Sequence, residues 1–450
     1  MKKNIIKYIL IVLGSIALLT AFCIQPIEKA GYKDTSYFKQ TINNIDHANI
    51  LSTTKMTLGW SKVNLTPKKV SRLAGYTYRN EYSEVKDSVY VGCYYFNTEK
   101  GDFLILHYDL LLINESLRSA IEKSVFNNFP DVKNIYYTCS HAHSSFGGWA
   151  KGLLSWFVLG GYDEDIVNDL LDNTQKAIAE AKKSVSSCQA YCQNLSLPQH
   201  LHNRVAPGEY FDNKLRTIFF KNELDKLSSL TSFGGHPTLI PFRASYLSGD
   251  YPSIGARRIE RNLKANTSFF CGGAIGSTSI EHAIQDHKFA TDFGNFLADT
   301  VSQNYSDSLF NHVEQLKFTE IQVELPPTQF KLNQTISLRP FLSQWLFGTP
   351  KTKISLLQLN NILLIGFPGE VSGEVFEEVK KQIPHKNLML YPTSFNGDYI
   401  GYLSHSKHYY SNENFETRDM NIYGPHNSDY ITEITVKILN NFIKQTDLED

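Results

Sequence analysis

Short runs rich in Val, Ile, Tyr and Phe recur along this chain and alternate with stretches whose apolar residues have helical spacing. Such runs predict strands, because β-branched and aromatic side chains suit a pleated, half-buried surface. The strand-like runs cover residues 88–96, 103–112, 134–139, 215–220, 229–233, 268–271, 318–325, 354–359, 362–367 and 387–391. The helical patterns cover residues 164–183, 252–263, 280–303, 372–383 and 429–445. This alternation predicts an α/β fold, specifically a mixed-sheet α/β sandwich.

The N-terminus is basic and then apolar. Lysines precede an apolar run over residues 9–24, which is typical of a signal peptide or a single transmembrane anchor, here residues 1–24. The basic flank stays in the cytoplasm, so we expect the rest of the chain to be exported. The domain would then be periplasmic or extracellular, held by the anchor or secreted. Cys23 raises a lipoprotein alternative, which the bulky Phe22 before it disfavours.

The remaining chain predicts a stalk or linker at residues 25–57 and one large domain at 58–450. Hydrophobic residues make up 42% of the 450 residues, which is enough for a large core. The net charge of −1 gives no basic excess that would point to nucleic acid.

The clearest local motif is a histidine pair, His141 and His143, at the end of an apolar strand. Residues i and i+2 of a strand point to the same face, so both imidazoles can face one site. Histidine is a common zinc ligand, so the pair indicates a metal or catalytic site. A purely structural pair of histidines is the alternative.

Two further strands end in the same way. The run ending at Phe233 is followed by two glycines and His236, and residues 362–367 are followed by a Pro-Gly turn and Glu370. Glu370 could instead be an acid at a helix N-terminus, stabilised by the helix dipole. Sites in α/β folds gather at strand ends, and two histidines with one carboxylate make a plausible zinc set with an open position for water. We therefore expect the metal site at strand ends.

The order of short motifs resembles the neutral/alkaline, non-lysosomal ceramidase family over roughly residues 58–445. Asn64-Leu65-Thr66-Pro67 with Gly75-Tyr76 resembles the opening motif, and His141-Ala142-His143-Ser144 resembles the family's H-T-H-S. Asn203-Arg204 and Gly276-Ser277-Thr278-Ser279 resemble its N-R-S and G-D-V-S segments. The late motifs are matched by Pro368-Gly369-Glu370 and by Gly401-Tyr402 through Tyr423-Gly424-Pro425-His426.

The resemblance implies residue roles. Zinc, as Zn2+, would be held by His141, His236, Glu370 and Tyr402. The catalytic residues would be His143 as a proton carrier beside the ligands, Arg204 on the substrate or reacting carbonyl, and Ser279. Ser279 could stabilise the oxyanion or act as a nucleophile next to the metal. The implied activity is zinc-dependent cleavage of a linear amide, in an N-acyl (sphingo)lipid such as ceramide, by zinc-activated water.

Three departures from the family stand out. Ser277 replaces an Asp, Ile280 replaces a Pro, and Phe415 lies nearest to a family tyrosine. The family's C-terminal immunoglobulin-like domain is expected to be absent. A zinc amidase or esterase for a small soluble substrate, and an inactive membrane-tethered binding protein, are the alternatives.

Two apolar, aromatic segments bear on the substrate. They cover residues 149–159 and 341–347. Each could be a buried helix, or else an acyl-chain pocket or a lip that dips into a membrane. The second interpretation fits a lipid-like amide substrate and a membrane surface as partners, and no nucleic acid.

Overall fold

The structure is a computed structural model that describes residues 2–348, 350–383, 387–411 and 414–446. Its helices are α1 Lys2–Cys23, α2 Ser36–Asp46, α3 Glu115–Asn128, α4 Leu153–Val158, α5 Glu164–Lys183, α6 Asp250–Leu263, α7 His287–Gln303, α8 Pro340–Phe347, α9 Gly373–Lys381, α10 Phe415–Arg418 and α11 Asn427–Thr446. Its strands are β1 Ile24–Pro26, β2 Leu51–Thr53, β3 Met56–Asn64, β4 Glu84–Val85, β5 Tyr90–Thr98, β6 Asp102–Tyr108, β7 Val132–Cys139, β8 Cys188–Ser196, β9 Leu201–Asn203, β10 Lys214–Asn222, β11 Leu227–Phe233, β12 Tyr246–Leu247, β13 Thr267–Gly272, β14 Thr278–Ile280, β15 Asn311–His312, β16 Leu316–Val323, β17 Ile336–Leu338, β18 Thr352–Leu359, β19 Ile362–Gly366, β20 Glu370–Val371, β21 Met389–Thr393 and β22 Tyr402–Leu403.

Three sheets form the body of the protein. One is four-stranded, in the order β3-β5-β6-β7. The other two are five-stranded, in the orders β13-β11-β10-β8-β15 and β2-β16-β18-β19-β21. Most neighbours are antiparallel, but each sheet contains one parallel pair, namely β6/β7, β11/β13 and β19/β21. The predicted fold class, mixed α/β with mixed sheets, is confirmed.

The three sheets share one apolar core. Tyr94 and Phe103 of the four-stranded sheet cluster with Phe220 of the second sheet and with Phe318 and Leu364 of the third. One face of each sheet packs into this cluster. The large aromatic side chains fill it, which explains why the strands are rich in Tyr and Phe.

Helices cover the outer faces of the sheets. Helices α3 and α5 pack on the four-stranded sheet, α6 and α7 on the second, and α2, α9 and α11 on the third. Helix α5 has the bounds that its sequence pattern predicts, with Asp163 as N-cap and lysines in its last turn. The pattern over 280–303 becomes a helix only from His287, because Ile280 pairs with Leu201 in β14 and Asp286 caps the helix.

The predicted stalk or linker, residues 25–57, forms β1, α2, β2 and the start of β3. Strand β1 pairs with β17, and β2 pairs with β16. Ile45 of α2 is buried among the residues of the third sheet. These contacts join the N-terminal segment to the domain.

Helix α1 contains the candidate membrane span Asn4–Cys23, which has a mean hydropathy of 2.3 and no part buried inside the protein. It is the one helix in the described ranges that is long and apolar enough to cross a membrane. A signal sequence near an N-terminus has the same composition.

Candidate metal centre

Three histidines meet at the ends of two strands. His141 and His143 follow β7, and His236 follows β11. The Nε2 atoms of His141 and His143 are 3.0 Å apart, and each lies 3.1 Å from the Nε2 atom of His236. Within the part of the chain that the structure describes, this is the one group of His, Cys, Asp or Glu whose ligand atoms converge in this way.

The backbone holds His141 in a conformation that few residues adopt. Its φ of 62° lies in the left-handed region, and its backbone N–H donates to the Leu110 carbonyl at 3.0 Å. The ring stacks on Phe395 with 4.2 Å between centroids, and Nδ1 donates to the Leu111 carbonyl at 2.7 Å. A proton on Nδ1 leaves the lone pair on Nε2, which points at the other two imidazoles.

The histidines are neutral. Burial lowers the pKa of His141 to about 3 and holds the pKa values of His143 and His236 well below the usual value. Neighbouring rings and the Arg204 charge add to the shift for His143 and His236. Neutral imidazoles are the form that binds a metal ion.

The spacing of the nitrogens fits a cation. With metal–nitrogen bonds of about 2.0–2.1 Å, adjacent nitrogens of a tetrahedral site lie roughly 3.3 Å apart. The 3.0–3.1 Å separations observed here are close to that value. Converging lone pairs repel one another, and a cation between them removes that repulsion.

Glu370 adds a carboxylate beside the histidines. It follows β19 through a Pro-Gly turn, and its Oε1 accepts a hydrogen bond from the Tyr399 hydroxyl at 2.7 Å. Its Oε2 lies 3.7 Å from His141 Nε2 and 3.8 Å from His236 Nδ1, with no hydrogen-bond partner among the described residues. Burial raises the pKa of Glu370 to about 7, although Tyr402, Tyr399 and Arg204 act to lower it. A buried, unpartnered carboxylate oxygen is what a cation would satisfy.

Arg204 links the histidines to two other site residues. It follows β9, and its Nη2 lies 3.2 Å from both His236 Nδ1 and the Tyr402 hydroxyl. Its Nη1 lies 3.5 Å from Ser279 Oγ, and its Nε forms an ion pair with Glu416 at 2.5 Å. Burial lowers the pKa of the guanidinium, but the nearby tyrosine and carboxylates raise it by more.

The structure therefore brings together the seven candidate metal-binding and catalytic residues. His141, His236 and Glu370 are buried, whereas His143, Arg204 and Ser279 are partly exposed. Tyr402 is buried opposite Glu370, because β20 and β22 pair with these two residues in register. Phe415 is 49% exposed, with its ring centroid 5.9 Å from that of Tyr402.

Two site residues are not predicted from the sequence. Tyr399 lies in the loop between β21 and β22, and nothing in the local sequence shows that its hydroxyl donates to Glu370. Glu416 has no signal, because its partner Arg204 is distant in the sequence.

Behind the site, Glu374 connects three of the short motifs. Its Oε1 accepts from Asn203 Nδ2 at 2.8 Å, and its Oε2 accepts from Ser277 Oγ at 2.7 Å. Ser277 Oγ also accepts from the Gly373 N–H at 3.2 Å, and the Ser277 carbonyl accepts from the Arg204 N–H at 2.9 Å. This network fixes the backbone that carries Arg204.

Comparisons with known proteins show the family and the fold. The sequence profile of the family described as neutral/alkaline non-lysosomal ceramidase, N-terminal, matches residues 57–312. No curated protein sequence gives a significant match. The crystal structure of neutral ceramidase from Pseudomonas aeruginosa is similar, with a TM-score of 0.72 and 13% identity over 86% of this chain and 75% of that chain. A ceramidase complexed with C2 is also similar, with a TM-score of 0.69 and 14% identity over 85% and 74% of the two chains.

Proposed function

Because the chain belongs to the neutral/alkaline non-lysosomal ceramidase family, we propose that it is a zinc-dependent hydrolase of N-acyl lipids such as ceramide. The products are a free fatty acid and an amine. The observation that carries the proposal is the convergence of the His141 and His236 imidazoles beside the unpartnered Oε2 of Glu370, with His143 Nε2 3.0–3.1 Å from both rings' Nε2 atoms. N-acyl lipids are also the substrates to which the relatives' names point.

We assign the zinc to His141, His236, Glu370 and Tyr402. A histidine that binds a metal usually donates its other ring nitrogen to a fixed acceptor. His141 has such an acceptor in the Leu111 carbonyl, and the other ring nitrogen of His236, Nδ1, lies 3.2 Å from Arg204 Nη2. Tyr402 belongs to the set because it lies opposite Glu370, and its oxygen accepts a hydrogen bond from Arg204 Nη2.

His143 differs from these two histidines. Its Nδ1 is buried without a hydrogen-bond partner among the described residues, and its ring is the partly exposed one of the three. No described residue accepts a hydrogen bond from its Nδ1, so its tautomer is not fixed in the way that the Leu111 carbonyl fixes that of His141, and the ring can take up and pass on a proton. We assign it the transfer of the proton to the leaving amine.

When bound, zinc lowers the pKa of water towards neutrality and polarises the amide oxygen. The protein's own groups do the rest. The Arg204 guanidinium is held at Glu416 and lies close to Ser279 Oγ, so both groups are available to the negative charge that develops on the amide oxygen. Tyr399 keeps Glu370 Oε1 occupied and turns Oε2 towards the histidines.

The test measures metal content and activity together, on the full chain in detergent, with a fluorescent N-acylsphingosine as substrate. We expect one zinc per chain and amide cleavage, with both lost in His141→Ala. His312→Ala is the matched control, because His312 is an exposed histidine on β15, a strand that does not carry a site residue. Zinc that remains bound in His141→Ala would refute the ligand assignment. An unaltered protein that binds zinc but leaves the amide intact would refute the substrate class.

We further propose that residues 1–24 anchor the chain in a membrane with the catalytic domain outside the cytoplasm. The lysines before the apolar run and the span Asn4–Cys23 support this orientation.

A further inference from the structure

We propose that an aromatic surface on α4 and α8 lies in the interface of the lipid bilayer, and that the N-acyl substrate reaches the histidines across it. We call this surface the aromatic lip and define it by Trp156 and Phe157 of α4 and by Phe341 and Trp345 of α8. The inference rests on the proposed function for the identity of the substrate, but the contact with lipid can be measured without catalysis.

The four side chains of the lip are unusually exposed. The exposed fractions are 46% for Trp156, 45% for both Phe157 and Phe341, and 73% for Trp345. Helices α4 and α8 lie against each other, so the four form one patch. The side chains of Leu153, Leu154 and Phe347 lie outside the described part. Adjacent exposed aromatic residues mark a contact surface, and Trp is enriched at the membrane–water interface.

The candidate membrane span ends at this patch. Strand β1, directly after α1, pairs with β17, directly before α8. The Arg339 N–H donates to the Cys23 carbonyl at 2.9 Å, and the rings of Phe22 and Phe341 are 5.1 Å apart. The last residues of α1 are therefore fixed to the first turn of α8.

This attachment indicates that membrane lipid covers the aromatic lip. A span of 20 residues has the length needed to cross the hydrocarbon layer, so its last residues lie where that layer ends. Helix α8 starts at the same level and must then lie at the membrane surface. Two arginines suit a headgroup layer: Arg339, which hydrogen-bonds the Ala21 carbonyl, and Arg72, which stacks on Trp156 at 4.6 Å.

A short segment joins the lip to the histidines. The Gly75 N–H donates to the Val158 carbonyl of α4 at 2.9 Å. The Tyr76 ring lies 4.8 Å from the ring of His143, and the Tyr78 ring lies 5.3 Å from that of Trp156. Two tyrosines separated by one residue thus contact the site and the lip. An acyl chain in the bilayer interface can follow this aromatic path to the partly exposed His143.

Tryptophan fluorescence provides the test, because the chain has four tryptophans and α1 has none. Trp60 and Trp149 are buried, so lipid can contact Trp156 and Trp345 alone. The full chain is reconstituted in phosphatidylcholine vesicles whose acyl chains are brominated near the headgroup. We expect bromine to quench the fluorescence of the unaltered protein and of Trp60→Phe, and the quenching to be lost in the double variant Trp156→Phe/Trp345→Phe.

Two outcomes would overturn the proposal. One is an unaltered protein whose fluorescence is not quenched by brominated lipid. If a soluble quencher also fails to reach Trp156 and Trp345, a second copy of the chain covers the lip in place of lipid, and the proposal is equally overturned. The other is quenching that persists in the double variant.

The path to the site is tested with Trp345→Glu. The ratio of cleavage of a long-chain substrate in vesicles to cleavage of a water-soluble short-chain substrate should fall at least roughly tenfold, because a charge replaces the apolar area of a Trp. An unchanged ratio would overturn the path. If neither substrate is cleaved by the unaltered protein, the proposed function fails, while quenching still decides whether the lip contacts lipid.

Discussion

Replacing Ser277 by Asp, the residue that the ceramidase resemblance places there, should destabilise this protein. Ser277 Oγ donates a hydrogen bond to Glu374 Oε2 at 2.7 Å. Ser277 is 1% exposed and Glu374 is 6% exposed, so water cannot separate two carboxylates at this position. An Asp side chain removes the donor and puts a second negative charge beside the first.

The size of the effect follows from burial. A buried charge without a compensating partner costs about 3–5 kcal/mol of unfolding free energy. The entropy of unfolding grows with chain length, so in a chain of this size 1 kcal/mol lowers the Tm by about 1 °C. Ser277→Asp should therefore lower the Tm by about 3–5 °C. Ser277→Ala, which loses only the hydrogen bond to a carboxylate, should cost about 1.5–3 kcal/mol.

The assay is thermal unfolding followed by circular dichroism, with urea titration for the free energy. The double variant Ser277→Asp/Glu374→Gln supplies a new amide donor to the Asp and should recover more than half of the loss. Amide cleavage should fall with stability, because the Ser277 carbonyl holds the Arg204 N–H. A Ser277→Asp protein as stable as the unaltered one, or a double variant without recovery, would refute this reasoning.

Three further changes have defined outcomes. Tyr399→Phe frees Glu370 Oε1 and should lower zinc affinity or kcat about 10–100-fold, measured by competition with a chelator and by steady-state kinetics. Burial raises the pKa of Asp398 to about 8, so between about pH 4 and 8 the folded state keeps a proton that the unfolded state has lost. The free energy of unfolding should therefore fall as the pH rises through this range. Urea titrations at several pH values should show a smaller fall for Asp398→Asn. Gly75 has a φ of +84°, and a Cβ there would lie 2.9 Å from His143 Nδ1, so Gly75→Ala should reduce amide cleavage while zinc content is unchanged, measured on the same sample.

The regular elements follow from the sequence where the pattern is local. The spacing and acidic start of residues 164–183 predict α5, and the strand-like runs match strands to within a few residues at each end. The helix predicted over 280–303 starts late because Ile280 is used in β14, a pairing with a distant segment that no local pattern reveals. The same limit hides the pairing of β1 and β2 with β17 and β16.

The site residues that lie at strand ends could be predicted from the sequence. His141, His236 and Glu370 each come directly after a buried strand, and the structure brings them within 3.8 Å of one another. Tyr399 and Glu416 could not be assigned a role in the same way. Each acts through a partner that is close only after the chain has folded, and an acidic or aromatic residue in a loop is not distinctive on its own.

Which strand ends meet depends on strand direction, which the sequence does not show. Each large sheet has one parallel pair, and both strands of such a pair end at the same edge. The pairs β6/β7, β11/β13 and β19/β21 lead into the segments that carry the histidines, Ser279 and Glu370. An antiparallel neighbour would send the next segment to the opposite edge. The parallel pairs are thus what brings residues from three sheets to one site.

The structure gives a reason for Ser277, which stands where the family has an Asp. By comparison with the family alone, Ser277 in place of an Asp favours an inactive protein. In the structure, the hydroxyl supplies the one hydrogen that Glu374 Oε2 accepts in this network, and a carboxylate could not supply it. The residue at position 277 is matched to Glu374, and its backbone in turn holds Arg204. A serine here has a structural reason that is independent of catalysis, so it does not count against the proposed hydrolase.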